Sequence, residues 1–191
     1  MKRNGLAALF GLAVLAAVTL PAGAETTVPY AGWQTRDIKA LSPQQVDDLR
    51  AGRGMSLALA AELNGYPGPR HVLDLGAALG LSAEQRALFE DLFGEMQAEA
   101  QRLGAAILKQ EAALDQAFGS GGVEDGELRE RLAALGALQG ELRYAHLRTH
   151  LTAQALLTPQ QVARYNALRG YGADAGGGAS HGGHGQQPAR P

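Results

Sequence analysis

Apolar side chains recur every three or four residues through two long stretches of this chain. In the first stretch they are Leu88, Phe89, Leu92, Phe93, Met96, Leu103, Ile107, Leu114 and Phe118. In the second stretch they are Leu128, Leu132, Leu135, Leu138, Leu142, Leu147, Leu151 and Leu156. This spacing puts the apolar groups on one face of an α-helix, and it predicts long helices over residues 83–118 and 128–156.

A short glycine-rich segment, GSGG at residues 119–122, separates the two predicted helices. Two long helices joined by so short a loop fold back on each other as an antiparallel hairpin. In that hairpin the numbers of facing residues sum to about 243, which places Gly104 opposite Gly140. Two facing glycines predict a close approach of the helix backbones. The alternative is that each is merely tolerated, at a cost of up to ~1 kcal/mol against alanine.

Shorter helices are predicted before the hairpin. Residues 55–63 have the pattern of one helix, which ends at Asn64 and Gly65, and residues 70–79 have the pattern of another, which ends at Gly80. No segment shows the alternation that is typical of a β-strand. The expected fold class is therefore all-α, with a long antiparallel helical hairpin and shorter flanking helices.

One five-residue pattern, L-[ST]-x-x-Q, occurs at residues 41–45, 81–85 and 157–161. At a helix N-terminus the Ser or Thr hydroxyl can accept a backbone N–H three residues on, and the Gln side chain can accept the N–H of the capping residue. The pairs with this spacing are Ser42 with Gln45, Ser82 with Gln85, and Thr158 with Gln161. We interpret all three as helix starts, with Pro43 and Pro159 at the first helical position.

The N-terminus has the pattern of a secretory signal peptide. Lys2 and Arg3 precede the apolar run 6–20, and the segment PAGA that follows offers an A-x-A cleavage site. The apolar run is too short to serve as a membrane anchor. Residues 1–24 are therefore predicted to be a cleaved signal peptide, and the mature chain is expected to be exported.

The rest of the chain divides into an arm, a domain and a tail. Residues 25–36 are predicted to be a flexible arm, which holds the only tryptophan, Trp33. Residues 37–170 have the size of a single domain with one core. Residues 171–191 have almost no apolar side chain to bury and are predicted to be disordered. Because the chain has no cysteine, the domain must be held together by packing alone.

The composition removes several classes of function. With 17 Lys and Arg against 19 Asp and Glu, the chain is mildly acidic, and nothing in it points to nucleic acid as a partner. It has no phosphate-binding P-loop, no G-x-S-x-G nucleophile elbow and no dinucleotide-binding glycine motif. We therefore expect a protein that is not an enzyme and that requires no cofactor.

The three pentads, the export signal and the predicted hairpin together resemble the Spy/CpxP family of periplasmic proteins, whose members carry LTxxQ motifs. The resemblance is carried by LSAEQ at residues 81–85 and by LTPQQVARYNAL at residues 157–168, and it covers about residues 37–170. It implies a periplasmic location and a curved helical cradle that is commonly a homodimer. It also implies binding of unfolded or misfolded envelope proteins without ATP, and reporting of envelope stress to a membrane sensor kinase or an anti-sigma system.

His146 and His150 form the sharpest chemical feature of the sequence. Two histidines four residues apart on a helix can present both imidazoles to one metal ion. The predicted hairpin places residues 93–97 opposite them, so Glu95 is the first candidate for a third ligand and Glu99 the second. The alternative is a pair of histidines at the edge of the core, bonded to neighbouring side chains or to water.

Three functions follow as alternatives. The first is a periplasmic, ATP-independent chaperone or envelope-stress protein that binds unfolded clients. The second is a periplasmic protein that binds or senses a heavy metal, with zinc, nickel, cobalt or copper as the candidate ion. His181 and His184 in the tail could add weak ligands to such a site. The third is a structural or regulatory partner of a membrane sensor.

Overall fold

The computed structural model describes residues 28–171. The predicted signal peptide, the first residues of the predicted arm and all of the predicted tail except Tyr171 lie outside the described residues. The chain divides into the unit Met1–Ala31, of which only the last four residues are described, and the unit Gly32–Pro191. All the helices described below belong to the second unit.

Seven α-helices and no strand occur within residues 28–171. They are α1 (Pro43–Ala51), α2 (Leu59–Glu62), α3 (Pro69–Asp74), α4 (Gly76–Leu79), α5 (Ala83–Ser120), α6 (Asp125–Leu156) and α7 (Pro159–Arg169). A single turn of 3-10 helix, Trp33–Thr35, precedes them. The two long helices, α5 and α6, pack against each other, which confirms the predicted all-α fold with a helical hairpin.

The core of the hairpin consists of two clusters of buried side chains. The first joins α1 to the middle of the hairpin and contains Leu49, Met96, Ala100, Leu103, Ile107, Leu135, Leu142 and Ala145. The second joins α3, α4 and α7 to the end of the hairpin away from its loop and contains Val72, Leu79, Phe89, Ala153, Leu157 and Tyr165. The short helices therefore cover the hairpin over only part of its length.

The predicted close approach of Gly104 and Gly140 is wrong. Gly104 faces α1, and a Cβ at this position would overlap the carbonyl oxygen of Leu49. Gly140 faces open space, with no described atom within 4 Å of the position of its missing Cβ. The sequence pattern identified a glycine at a close approach, but the partner is the backbone of α1 because α1 crosses the hairpin at that point.

The short helices before the hairpin differ from the prediction at two places. Helix α2 begins at Leu59 because Met55 (φ 42°) and Ser56 (φ 66°) adopt left-handed backbone conformations, which interrupt a helix. The segment predicted as one helix over 70–79 is two helices, because Leu75 departs from helical geometry at φ −94° and ψ 6°. This short break turns the chain between α3 and α4.

Each of the three pentads has the reciprocal pair of hydrogen bonds that its spacing predicts. Two of them also bind each other. The Gln85 side-chain amide donates to Gln161 Oε1 at 2.9 Å, and the Gln161 amide donates to Gln85 Oε1 at 3.0 Å. Gln85 donates in addition to the carbonyl of Leu156 at 2.9 Å. The N-termini of α5 and α7 are therefore joined by a pair of amide side chains. They lie at the base of the hairpin, which is its end away from the loop, where α5 begins and α6 ends.

The two helical glycines give a direct test of the packing of α1 on α5. Gly104→Ala should lower the free energy of unfolding by about 2 to 3 kcal/mol, because the new methyl group would displace the backbone of α1. Gly140→Ala should instead raise it by up to ~1 kcal/mol, because alanine favours the helix and meets no neighbour. Urea denaturation of the two variants measures both values, and equal effects would contradict this arrangement.

Because of the amide pair, we expect the capping glutamines Gln45 and Gln85 to contribute unequally to the free energy of unfolding. Within residues 28–171 the Gln45 side chain bonds only its capping residue Ser42, whereas the Gln85 side chain also bonds Gln161 and Leu156. Gln85→Ala should therefore cost about 1 kcal/mol more than Gln45→Ala, since partly buried bonds are lost along with the cap. Thermal unfolding of both variants supplies the comparison. A similar loss for both would mean that the amide pair contributes nothing beyond capping.

Candidate functional site

A cleft of about 670 Å³ lies between the helices on one side of the hairpin. Its walls come from the segment after α1, from α2, from the start of α3, and from the facing surfaces of α5 and α6. Met55, Leu59, Phe93 and Met96 make part of its wall apolar. Its polar lining includes Glu62, His71, His146 and His150. Below, "the cleft" refers to this set of residues.

Glu62, the last residue of α2, is a buried carboxylate with 5% of its surface exposed. Its Oε1 accepts hydrogen bonds from the Tyr165 hydroxyl at 2.6 Å and from Arg169 Nε at 3.2 Å. His71 Nδ1 also lies 3.2 Å from this oxygen. These contacts join α2 to the neighbouring helix α3 and to α7, which is about 100 residues away in the sequence.

The surroundings of Glu62 keep the carboxylate ionised. Burial alone would raise its pKa, but hydrogen bonds from His71 and Tyr165 and the positive charges of His71 and Arg169 outweigh burial and lower the pKa to about 2. The pKa of Tyr165 moves the other way, because burial and its hydrogen bond to Glu62 both disfavour the phenolate. At neutral pH the pair is therefore a carboxylate and a neutral hydroxyl that donates to it.

His150 is held in place by the backbone of the loop before α3. Its Nδ1 lies 2.8 Å from the carbonyl oxygen of Tyr66. A carbonyl can only accept, so Nδ1 carries the proton, and in the neutral imidazole Nε2 keeps its free lone pair. The same Nδ1 lies 3.9 Å from Oε2 of Glu62, which places the imidazole beside the carboxylate.

Two polar atoms of the cleft are buried without a hydrogen-bond partner among the described residues: Nε2 of His146 and Oε2 of Glu62. His146 is 5% exposed. Burial, with a smaller effect of the neighbouring His150, lowers the pKa of His146 and keeps its imidazole neutral. Unpartnered buried polar atoms are uncommon because they lower the free energy of unfolding. The cleft therefore offers one neutral nitrogen, His146 Nε2, and one charged oxygen, Glu62 Oε2, to a further partner.

Gly68 allows the loop before α3 to pass close to these groups. A Cβ at this position would lie 3.0 Å from Cε1 of His150 and 3.1 Å from Oε2 of Glu62. The backbone N–H of Gly68 also lies 3.3 Å from the hydroxyl of Tyr165, to which it donates. The absence of a side chain at Gly68 therefore lets the backbone of this loop pass close to His150 and Glu62.

The predicted ligand set is only partly brought together. His146 and His150 both line the cleft, and Phe93 and Gln97 from the stretch predicted to face them line it too. Glu95 is exposed and does not line the cleft. Its helical neighbours that face the cleft are three and four residues apart, at positions 93, 96 and 97, so position 95 turns away from it.

Glu99, the second candidate for a third ligand, is bonded elsewhere. It accepts hydrogen bonds at 2.9 and 2.7 Å from Arg102 on the same helix. The carboxylate beside His150 is instead Glu62, which the spacing of residues along the hairpin did not indicate. Within residues 28–171, no group of three or more His, Cys, Asp or Glu side chains is arranged so as to hold a metal ion.

The sequence contains one signal that could have identified Glu62. Residues 57–63 read LALAAEL, with a single carboxylate in an otherwise apolar segment. Such a residue is either exposed by a turn or buried with partners, and the partners cannot be read from the segment itself. Tyr165 and Arg169 lie 103 and 107 residues away along the chain.

Glu62 should make the stability of the protein depend on acid. Because its pKa is lowered from 4.5 in the reference state to about 2, the unfolded chain takes up the proton first as the pH falls. Its contribution is complete above about pH 4.5 and is lost as the pH falls towards 2. Glu62→Gln should thus be less stable than the wild type near neutral pH, and the difference should shrink through this range. Urea denaturation with a chelator present measures it, and a difference that does not vary with pH would contradict the assignment.

Comparison with known proteins does not indicate a function for this chain. A scan of family models, a search of curated proteins and a search of solved structures found no match to this chain. Among the helices in the described part of the chain, none has the length and apolar character needed to cross a membrane. The resemblance to the Spy/CpxP family thus rests on the three pentads, the export pattern and the hairpin.

Proposed function

We propose that this protein is a periplasmic, ATP-independent chaperone or envelope-stress protein, and that the cleft binds apolar segments of unfolded polypeptides. The observation that carries the proposal is an open cleft with an apolar wall, beside a hairpin that exposes large apolar side chains. The clients are unfolded or misfolded envelope proteins. A second copy of the chain completes the cradle, and a membrane sensor kinase or an anti-sigma system receives the stress signal.

The apolar wall of the cleft has the chemistry of an adaptable binding surface. Met55 and Met96 contribute long, unbranched side chains that can repack around different partners. Leu59 is 46% exposed beside them. The guanidinium carbon of Arg70 lies 5.6 Å from the ring centroid of Phe93, so a cation borders the aromatic part of the wall. A surface of this kind favours apolar segments without requiring one sequence.

Further apolar side chains are exposed along the hairpin itself. Phe118 near its loop is 58% exposed, and Leu132 on α6 is 51% exposed. Tyr144 and Leu151, also on α6, are 59% and 62% exposed. Phe118 and Leu132 lie towards the loop, beyond the buried clusters, whereas Tyr144 and Leu151 lie on a face of α6 that the short helices do not cover. These side chains are available to a partner in addition to the apolar wall of the cleft.

The purified mature protein should suppress aggregation of an unrelated denatured client, without nucleotide and at a near-stoichiometric ratio. Light scattering during dilution of the client from denaturant measures this. Leu59→Glu should reduce the protection several-fold, because a charge on the cleft wall opposes burial of apolar groups. Leu132→Glu is the comparison variant that tests the hairpin surface, because this leucine is similarly exposed on the hairpin but does not line the cleft.

The possible results of this assay test two things separately: whether the protein is a chaperone, and whether clients bind in the cleft. If the wild type gives no protection at several-fold excess, the chaperone proposal is wrong. If the wild type protects and only Leu132→Glu loses activity, clients bind the hairpin and the cleft is not their site. Circular dichroism of both variants shows whether either change acts by unfolding the protein.

A further inference from the structure

The polar floor of the cleft, formed by Glu62, His146 and His150, contains two unpartnered buried atoms that the binding of apolar clients does not use. His146 Nε2 and Glu62 Oε2 are both buried and unpartnered among the described residues, and both belong to side chains that are more than nine-tenths buried. His150, 7% exposed, lies beside the carboxylate. Polar atoms at the surface form hydrogen bonds with solvent. His146 Nε2 and Glu62 Oε2 are buried, so they need a partner from within the cleft.

We propose that this floor is a binding site for one divalent transition-metal ion, held by His146, His150 and the carboxylate of Glu62. The inference goes beyond client binding, which needs only the apolar wall. It also replaces Glu95 by Glu62 as the carboxylate ligand.

The two imidazoles have the spacing of a metal-binding pair. His146 and His150 are four residues apart on α6, so they stand on the same face one turn from each other. Pairs with this spacing on a helix can place two nitrogens on one ion. Both are buried on the side of α6 that lines the cleft, and both face away from solvent.

The orientation of His150 is fixed by a bond that metal sites commonly use. Its Nδ1 donates to the Tyr66 carbonyl at 2.8 Å. Histidine ligands usually donate their second ring nitrogen to a carbonyl or carboxylate, which sets the tautomer and the ring orientation. Nε2 of His150 therefore keeps the lone pair that a metal ion requires. This bond comes from a different segment of the chain, and so the helix alone does not determine it.

Glu62 supplies the negative charge. One of its oxygens is engaged by Tyr165 and Arg169, while Oε2 has no hydrogen-bond partner in the part of the chain that the structure describes. Bonds to the first oxygen hold the carboxylate in place without using the second. The position of the missing Cβ of Gly68 lies 3.1 Å from Oε2 and 3.0 Å from Cε1 of His150, so the carboxylate oxygen and the imidazole flank the same point of the loop.

The three donors must move to reach one ion, because the described side chains as arranged do not form a ligand group. Binding therefore requires the side chains of His146, His150 and Glu62 to reorient around the ion. The cleft, about 670 Å³ in volume, provides the room. Two imidazole nitrogens and one carboxylate oxygen suit zinc, nickel or copper, whereas calcium and magnesium prefer oxygen ligands alone.

The test uses the full mature chain with His181→Ala and His184→Ala, so that the tail cannot supply ligands. Isothermal titration with zinc and with nickel should show one site per chain for at least one of the two ions. His146→Leu in the same background should weaken binding at least about tenfold. Glu95→Gln is the matched control, because this exposed carboxylate was the alternative ligand and should leave binding unchanged.

Thermal melting adds a readout that a merely structural role would not produce. In chelator, His146→Leu should melt at the same temperature as the background or higher, since an unsatisfied buried nitrogen has been replaced by an apolar group. With zinc or nickel added, the background should melt higher and the variant should not shift. Glu62→Gln should lose the same shift, relative to its own melting temperature in chelator.

Two results would overturn the proposal. One is the absence of binding by the background protein to both ions. The other is binding that His146→Leu leaves unchanged, which would place the ion elsewhere. Light scattering with a client in chelator is measured on the same proteins, so that failure of the metal site and failure of the chaperone proposal can be distinguished.

Discussion

The buried charge of Glu62 is the constraint on which the arrangement of the short helices depends. A carboxylate taken out of water is tolerated only when other groups replace its solvation, and removal of one partner of a buried ion pair commonly costs 3 to 5 kcal/mol, on the order of a third of a domain's stability. Here Tyr165 and Arg169 come from α7 and His71 from α3. The need to solvate one charge therefore holds α2, α3 and α7 together at the base of the hairpin.

The same base is closed by the amide pair of Gln85 and Gln161. Each glutamine satisfies a helix N-terminus and at the same time bonds the other helix. The same two glutamines that cap α5 and α7 thus also hold the N-termini of these helices together. Towards the loop of the hairpin these constraints end, and large side chains such as Phe118 and Leu132 stay exposed. The hairpin is therefore well connected to the short helices at its base and sparsely covered towards its loop.

The proposed client surface and the proposed metal site share one cleft. The apolar wall is made by Met55, Leu59 and Phe93, whereas the polar floor is made by the histidines and Glu62. His146 lines the cleft together with the apolar wall, so rotation of its ring towards an ion would change the surface that a client meets. Metal occupancy and client binding would then be linked, because any ligand that favours one arrangement of the cleft must affect the affinity of the other.

The sequence by itself determined the two helices of the hairpin and the capped starts of α5 and α7. Apolar spacing and capping residues act within a few positions of one another, so the hairpin and the bonds of Ser82 with Gln85 and of Thr158 with Gln161 could be predicted. The positive φ of Met55 and the break at Leu75 were missed, because they depend on how the short helices pack.

Only the tertiary structure decided which residues meet across the fold. Gly104 was predicted to face Gly140 and instead faces α1, and Glu95 turns away while Glu62 occupies the position beside His150. Partners of Glu62 lie as far as 107 residues away, and no periodic pattern records them. Local periodicity specifies which face of a helix is buried. What covers that face follows from how all the helices pack at once.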